Sequence, residues 1–578
     1  MIRKLVRSML TAQILSALTV SLCLLIDNVM ISRYLGTTAI AAYGYANPIL
    51  LIIGALGSML AAGIQMACSK SLGRGLQEET NAGYSSAIAV TLCLSLFFLA
   101  VVLVFRGPIA SLMGAGSADP ALHGMTKDYL AGFVIGAPGS MGALVLIPFL
   151  QIAGQSNLLI AAVLGMTVTD IALDLINVKV LKWGMFGMGL ASSLSYYVAM
   201  LFAAFYFLSS RCIFRFSLKQ VTRRKVTELF TSGLPTVFNM ASSVVMVFAL
   251  NQILRGVGGT AAVAAFTVVT SIGNSVNCIT TGIGGVSITL SGVFFNEEDR
   301  SAIREVFSLL CRYSVILGLA AGILLLFAAP LMVSVFIRKD LPEREMAILG
   351  LRLFGAGLIP CCLNNTLKNL YQATGRIRLT EMISIFECAV FPVLSAFLMS
   401  LLLGTTGVWF YFVMGELLAL TAIGLYIYHR TKTPLWHGDT ALLLSPDFGV
   451  RKEHLLELRF SSLEDIPPAV RQIESFCASH QLDPKTTNHI ALCVEEMTSN
   501  VIQHGFSFDG KPHHLSVRLL HKGDKWVLRF RDDCTAFDPV NYVPADRESA
   551  IGLRIVMAMA KEVRYTSSLN LNNLIITF

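Results

Sequence analysis

The chain has 578 residues, 54% hydrophobic and only 14% charged, with a mean hydropathy of +0.67; a soluble domain carries roughly 25% charged residues. That balance excludes a soluble globular protein, a disordered chain and a collagen-like fibre, and it indicates an integral membrane protein. Residues 1–450 hold 29 Lys+Arg and 20 Asp+Glu and residues 451–578 hold 15 and 16, so the net charge of +8 lies in the apolar part and reads as loop asymmetry across a bilayer, not as nucleic-acid binding.

A membrane helix needs about 20 mostly apolar residues. In chain order, segments of that kind fall at roughly 10–33, 40–68, 83–105, 127–150, 158–181, 186–208, 232–255, 260–290, 305–328, 345–372, 380–403 and 406–429. The expectation is an all-α membrane part of twelve transmembrane helices spanning 1–432, a linker over 433–450 and a soluble domain over 451–578. The opening MIRKLVR has no apolar core followed by a cleavage site, so no cleaved signal peptide is expected. Twelve cysteines are scattered through apolar stretches with no CxxC pair and no His/Cys cluster, which predicts neither a disulfide framework nor a metal site. An even number of spans puts both termini on one side. The loops of that side carry Lys70 and Arg74, Arg211 to Lys225, Arg300 and Arg304, Arg376 and Arg378, and Arg430 and Lys432. The positive-inside rule then places both termini, and the soluble domain, in the cytoplasm of a cell-membrane protein.

Gly36-Thr-Thr-Ala-Ile-Ala-Ala-Tyr43 matches Gly259-Thr-Ala-Ala-Val-Ala-Ala-Phe266 at five of eight positions, offset by 223, and Gln151-Ile-Ala-Gly154 resembles Gln372-Ala-Thr-Gly375 at an offset of 221. A six-helix unit (about 1–215 and 226–432) is thus duplicated in parallel. Transporters built this way bind substrate between two bundles and alternate access by rocking them.

Asp27-Asn28-Val-Met-Ile-Ser-Arg33-Tyr-Leu-Gly36, the small-residue run to Asn47-Pro48, Ser69…Gly73, the Gln-x-x-Gly loops and Gly233-Leu234-Pro235 resemble the MATE (multidrug and toxic compound extrusion) family over about residues 10–430. The resemblance implies efflux of small cationic or amphipathic compounds in exchange for H⁺ or Na⁺. Ionisable residues inside spans are functional by default because hydrocarbon penalises them. Asp27 lies in the first span, and Asp170 and Asp174 lie on one face of the fifth. The resemblance makes Asp27 and Asp174 coupling residues of the N-terminal lobe, gives Asp170 a position usually held by Asn, and adds the Ser192 hydroxyl. Glu381 is expected near Arg378 at a cytoplasmic helix end, Glu416 in a second-lobe cavity, and Lys368 and Arg255 as snorkelling side chains.

The tail alternates as strands do at Leu456, Leu458, Phe460, at Leu515, Val517, Leu519 and at Val527–Phe530, with a turn at His521–Lys525 and helices at about 464–480, 484–505 and 549–562. This predicts an α+β sandwich. Glu495-Glu496-Met-Thr-Ser-Asn500-Val-Ile-Gln-His504-Gly505, then Arg531-Asp532-Asp533-Cys534, then Ala550-Ile551-Gly552-Leu553 resemble the three nucleotide boxes of histidine-kinase-like (Bergerat-fold) ATPases, especially anti-sigma-factor serine kinases. The resemblance implies ATP and Mg²⁺ as cofactors. It gives Glu496 as general base, Asn500 as Mg²⁺ ligand, His504 on the same helix face, Asp532 on the adenine amino group and Gly552 in the phosphate loop. It also implies an anti-anti-sigma-like protein partner. Family members usually have Gly at the positions of Cys534 and Ala550, so ATP binding is expected rather than efficient kinase activity. The alternative is a membrane-anchored signalling kinase that uses the transporter part as a sensor.

Overall fold

The computed structural model describes residues 2–113, 115, 119–209, 212–337, 343–435, 439–445, 448–506, 513–523, 525–542 and 551–578. With no water in hydrocarbon, a chain crossing a bilayer satisfies its backbone hydrogen bonds internally, and the apolar segments are accordingly helices. The N-terminal lobe contains α1 (Ile2–Met30), α2 (Thr37–Gly73), α3 (Gln77–Leu112), α4 (Pro120–Val134), α5 (Ala137–Ile152), α6 (Ser156–Ile176) and α7 (Gly184–Phe207). The C-terminal lobe contains α8 (Arg223–Val276), α9 (Cys278–Asn296), α10 (Arg300–Ser334), α11 (Glu343–Ala356), α12 (Leu358–Ala373), α13 (Ile377–Ile385), α14 (Phe391–Leu403), α15 (Thr405–Val408) and α16 (Tyr411–Thr431). Among the described residues nine helices are long and apolar enough to cross a membrane, or eleven with the bent pairs α4/α5 and α11/α12 each counted as one span. Their outer faces expose Phe97, Val104, Phe205, Phe327 and Leu331, the surface that lipid covers.

The duplication extends to the backbone. Gly36 and Gly259 both take positive φ (89° and 66°), one before α2 and the other breaking α8. Gly154 and Gly375, after the two Gln-x-x-Gly runs, have φ 74° and 78°. Only glycine takes such angles without penalty. The bends of 46° and 47° fall at Gly136 and Gly357, 221 residues apart like the second sequence match. The lobes meet in the half nearer the soluble domain. A Cβ on Gly292 of α9 would come within 2.8 Å of the Ser69 Cβ on α2, and one on Gly73 within 2.7 Å of the Asn296 Cβ.

Described residues between 433 and 450 pack on the C-terminal lobe. Ala441 and Leu442 are buried, the Tyr371 hydroxyl donates to Ala441 O at 2.9 Å, and Phe448 stacks on Phe295 at 4.9 Å. Beyond it stands one antiparallel sheet in the order β1-β2-β3-β5-β4, built from β1 (Leu455–Phe460), β2 (Leu515–Lys522), β3 (Lys525–Asp532), β4 (Glu562–Ser568) and β5 (Leu571–Thr577). Alternation sends Val517, Leu519, Leu528, Phe530 and Ile576 to one face, against α17 (Ile466–Ser479), α18 (Pro484–Asn500) and α19 (Ile551–Met559). The other face carries Arg518, Arg529 and Arg531. It lies on the α9–α10 loop, where Arg531 pairs with Glu297, Arg518 with Asp299 and Lys522 with Glu298. Burial alone would raise the Asp299 carboxyl, but Arg518 and Arg531 hold it below its ordinary value.

Close approach of α4 and α7 depends on Gly132 and Gly189, in the manner of small-residue contacts between membrane helices. A Cβ at Gly189 would lie 2.5 Å from Tyr129 O and 2.7 Å from Phe133 N. Gly189→Ala should destabilise the N-terminal lobe by about 1–3 kcal/mol, read as a lower midpoint of thermal unfolding in detergent. An unchanged midpoint would show that the two helices part freely.

Candidate functional site

Three carboxylates converge inside the N-terminal lobe. Asp27 lies on α1, Asp170 and Asp174 lie one turn apart on α6, and all three are buried. Asp27 faces Asp170, Asp174 and the Ser192 side chain of α7. Asp170 also lies beside Ser195 and Cys23. The four predicted residues therefore form one cluster. Ser195 and Cys23 join it unforeseen, although each lies one helical turn or less from a predicted member. Carboxylates of like charge held this close out of water cannot all be ionised, so the cluster retains a proton. Both oxygens of Asp174 find no donor among the described residues. Next to the cluster is a cavity of 130 Å³, lined among others by Val20, Phe133, Met166, Tyr196 and Ala199. Met166 and Tyr196 are one turn from Asp170 and Ser192.

The C-terminal lobe holds a different group. Lys368 on α12 does not snorkel. It is 9% exposed and its Nζ donates to Glu387 Oε2 at 2.9 Å. α12 is buried among neighbouring helices, and a facing carboxylate answers the ammonium there. Glu387 sits in the π-helical turn Phe386–Val390 between α13 and α14. Glu416 of α16 is also buried and accepts from Asn364 Nδ2 at 2.8 Å. Sequence singled out Glu416 but gave Glu387 no role, since pairing across helices leaves no local spacing signal.

In the soluble domain, the Glu496 carboxylate of α18 packs directly on Gly552 at the N-terminal end of α19. That is the position the resemblance gives to phosphate, so phosphate there requires Glu496 to turn aside. Asn500 is half-buried, but α18 opens into a π-helical turn over Val501–Gly505 and His504 is exposed. The expected single face of Glu496, Asn500 and His504 therefore ends at Asn500, because the wider turn rotates the fourth residue away. Asp532 is buried, and its Oδ1 accepts from Cys534 N at 3.0 Å and Asn572 Nδ2 at 2.7 Å. Burial pushes this carboxyl up, against those hydrogen bonds. Tyr565 donates to Asn572 Oδ1 at 2.7 Å. A buried, oriented carboxylate fits the amino group of adenine, and the half-buried Asn500 amide fits a metal bridging phosphates. Cys534 fills the space beside Gly505, its Cβ 3.1 Å from where a Cβ would stand there. Ala550 lies outside the described residues. His454, His480 and His521 come together from distant positions, with ligand atoms within 4.8 Å of one another. His454 and His521 also line a cleft with Arg300, Arg304, Arg451 and Lys522, surroundings that oppose a cation.

Two helical lobes joined at one end, a buried acidic cluster in one of them and a helix-on-sheet domain define a MATE-type transporter with a histidine kinase-like ATPase domain. The chain belongs to the MatE family, whose model matches residues 12–176 and 235–398, and the histidine kinase-like ATPase domain model matches residues 461–578. It is similar to the multidrug export protein MepA of Staphylococcus saprophyticus, 24% identical over 405 residues that cover 69% of this chain and 88% of that protein. Its fold resembles an outward-facing multidrug resistance MATE family transporter (TM-score 0.69, 21% identity, 74% of this chain and 96% of that one). It also resembles a MOP superfamily transporter from Pyrococcus furiosus (TM-score 0.69, 21% identity, 77% and 97%).

Removing one partner of a buried ion pair leaves an uncompensated charge, which costs about 3–5 kcal/mol. Glu387→Gln should destabilise the C-terminal lobe by that order. The double variant Lys368→Met with Glu387→Leu should regain most of it, read by thermal unfolding in detergent. Equal stability of Glu387→Gln and wild type would mean that the Lys368 ammonium is not confined.

Proposed function

We propose that this chain is a proton-coupled multidrug efflux transporter of the cell membrane, with its ATPase-like domain in the cytoplasm binding Mg·ATP to regulate transport. The observation that carries the reading is the buried cluster of Asp27, Asp170 and Asp174, three carboxylates of one sign that cannot all be ionised so close together out of water. A proton held there on one side of the membrane and released on the other couples to rocking of the lobes. The apolar cavity beside the cluster suits the hydrophobic body of an amphipathic cation, and the multidrug export function named for the 24%-identical relative supports the same substrate class.

The test is ethidium transport in proteoliposomes under imposed H⁺ or Na⁺ gradients. Asp27→Asn should abolish proton-driven transport while the protein still inserts. Asp174→Asn should do the same, and Asp170→Asn should be milder. Wild-type transport by Asp27→Asn at every pH would refute the coupling role, and transport driven by Na⁺ alone would replace the proton.

For the soluble domain, the full-length chain in detergent should give heat on titration with Mg·ATP. Asn500→Ala should weaken binding about tenfold, which is about 1.4 kcal/mol, by removing the metal's protein ligand. No heat with the wild-type chain would mean that the fold has lost its nucleotide and acts through protein contacts alone.

A further inference from the structure

The soluble domain holds both lobes at once. On the C-terminal lobe its grip is electrostatic. Arg531 and Arg518, both buried, pair with Glu297 and Asp299 of the α9–α10 loop. Arg529 adds a contact to Glu297 at 3.5 Å, and the Arg531 guanidinium lies 5.2 Å over the Phe294 ring. On the N-terminal lobe the grip comes from the β4–β5 hairpin. Its two turn residues, Leu569 and Asn570, both have left-handed backbones (φ 59° and 58°), which makes a tight projecting tip. The Leu569 amide donates to Ile152 O at 2.6 Å, Asn570 Nδ2 donates to Gly154 O at 2.7 Å, and Arg564 Nη1 donates to Arg74 O at 3.2 Å. The Leu569 side chain, 1% exposed, packs into a core it shares with Val6 and Met9 of α1 and Ile283 and Val286 of α9.

Opening the transporter on this side means drawing α2 away from α9, where Ser69 now faces Gly292. The loops that would separate are those that the sheet holds: Arg74 and Gly154 on one lobe, Glu297 and Asp299 on the other. A hydrogen-bonded five-stranded sheet does not stretch to follow both. We propose that the docked domain is a staple that holds the two lobes closed on the domain side and so restrains the rocking step of transport. The idea rests on the transporter reading above, in that it names how the same movement is regulated.

The staple has two ends, and breaking either releases it. The variants Arg531→Glu (C-terminal lobe end) and Leu569→Asp (hairpin end) are compared with wild type and with the double variant, all as full-length chain. Hydrogen exchange over residues 59–67 of α2, which face α8 of the other lobe at Gly63 and Met59 and share no core with Leu569, reports opening, and ethidium efflux from proteoliposomes reports turnover. Each single variant should raise exchange there about fivefold, the change made by about 1 kcal/mol, and should speed efflux. The double variant should do no more than either alone, because a staple cut once is already open. Wild-type exchange in both single variants, or strictly multiplying effects in the double, overturns the proposal. If one variant aggregates, the other decides alone. A wild-type chain that transports no ethidium under any gradient removes the transporter reading, while exchange at 59–67 still decides the staple.

Discussion

Charge taken out of water has to be answered by another charge, a hydrogen bond or a proton, and this chain answers it in three ways. At Asp27, Asp170 and Asp174 the groups that meet are of one sign, and all three are buried. Between α12 and the turn that follows α13, Lys368 meets Glu387 and the two neutralise. At the docking face, guanidinium groups meet the carboxylates of a helix-capping loop. The first arrangement can change its proton content, the second is fixed by mutual need, and the third can be exchanged for solvent on both sides. Their places in the molecule follow that order of mobility: inside one lobe, inside the other, and between transporter and soluble domain.

The duplicated scaffold makes the contrast sharper. Gly36 and Gly259, Gly136 and Gly357, and Gly154 and Gly375 break or bend the chain at matching points of the two lobes, so the helices run alike. The chemistry does not repeat. Asp27 has Leu250 at the matching offset of 223, and the buried ion pair of the second lobe has no counterpart among the N-terminal carboxylates. One lobe thus gathers three acids of one sign, while the other pairs its buried Lys368 with Glu387 and holds Glu416 on the Asn364 amide.

Much of this was legible in the sequence because membrane helices are written locally. Apolar runs of the right length and glycines at a constant offset depend only on neighbours along the chain. Asp27, Asp170 and Asp174 were legible for a related reason, since an acid inside an apolar run stands out at once, whereas Ser192 came only from the family resemblance. What escaped depends on distant pairing. Lys368 looked like a snorkelling side chain because its partner lies 19 residues on, in a π-helical turn with no sequence signature. His504 looked aligned with Asn500 because regular helical spacing was assumed through a stretch that widens. Asn572 and Tyr565 appear beside Asp532 only once β5 is placed between β3 and β4. The stretch over 433–450 has the glycines and prolines of a linker, yet Tyr371 and Arg376 hold its backbone to the C-terminal lobe.

Arg531 and Asp532 are neighbours on β3, paired across the ladder with Asn573 and Asn572 on β5. Side chains alternate along a strand, so the first points at the transporter and the second into the helix-covered side of the sheet. A shift of this strand by a single residue would turn the basic residue inward and the acidic one toward Glu297, reversing both surfaces in one event. The two surfaces are therefore inherited together. A one-residue insertion or deletion in β3 cannot adjust the surroundings of Asp532 without also changing how the domain sits on the membrane part, and a fusion of this kind diverges more readily through substitutions that keep the register.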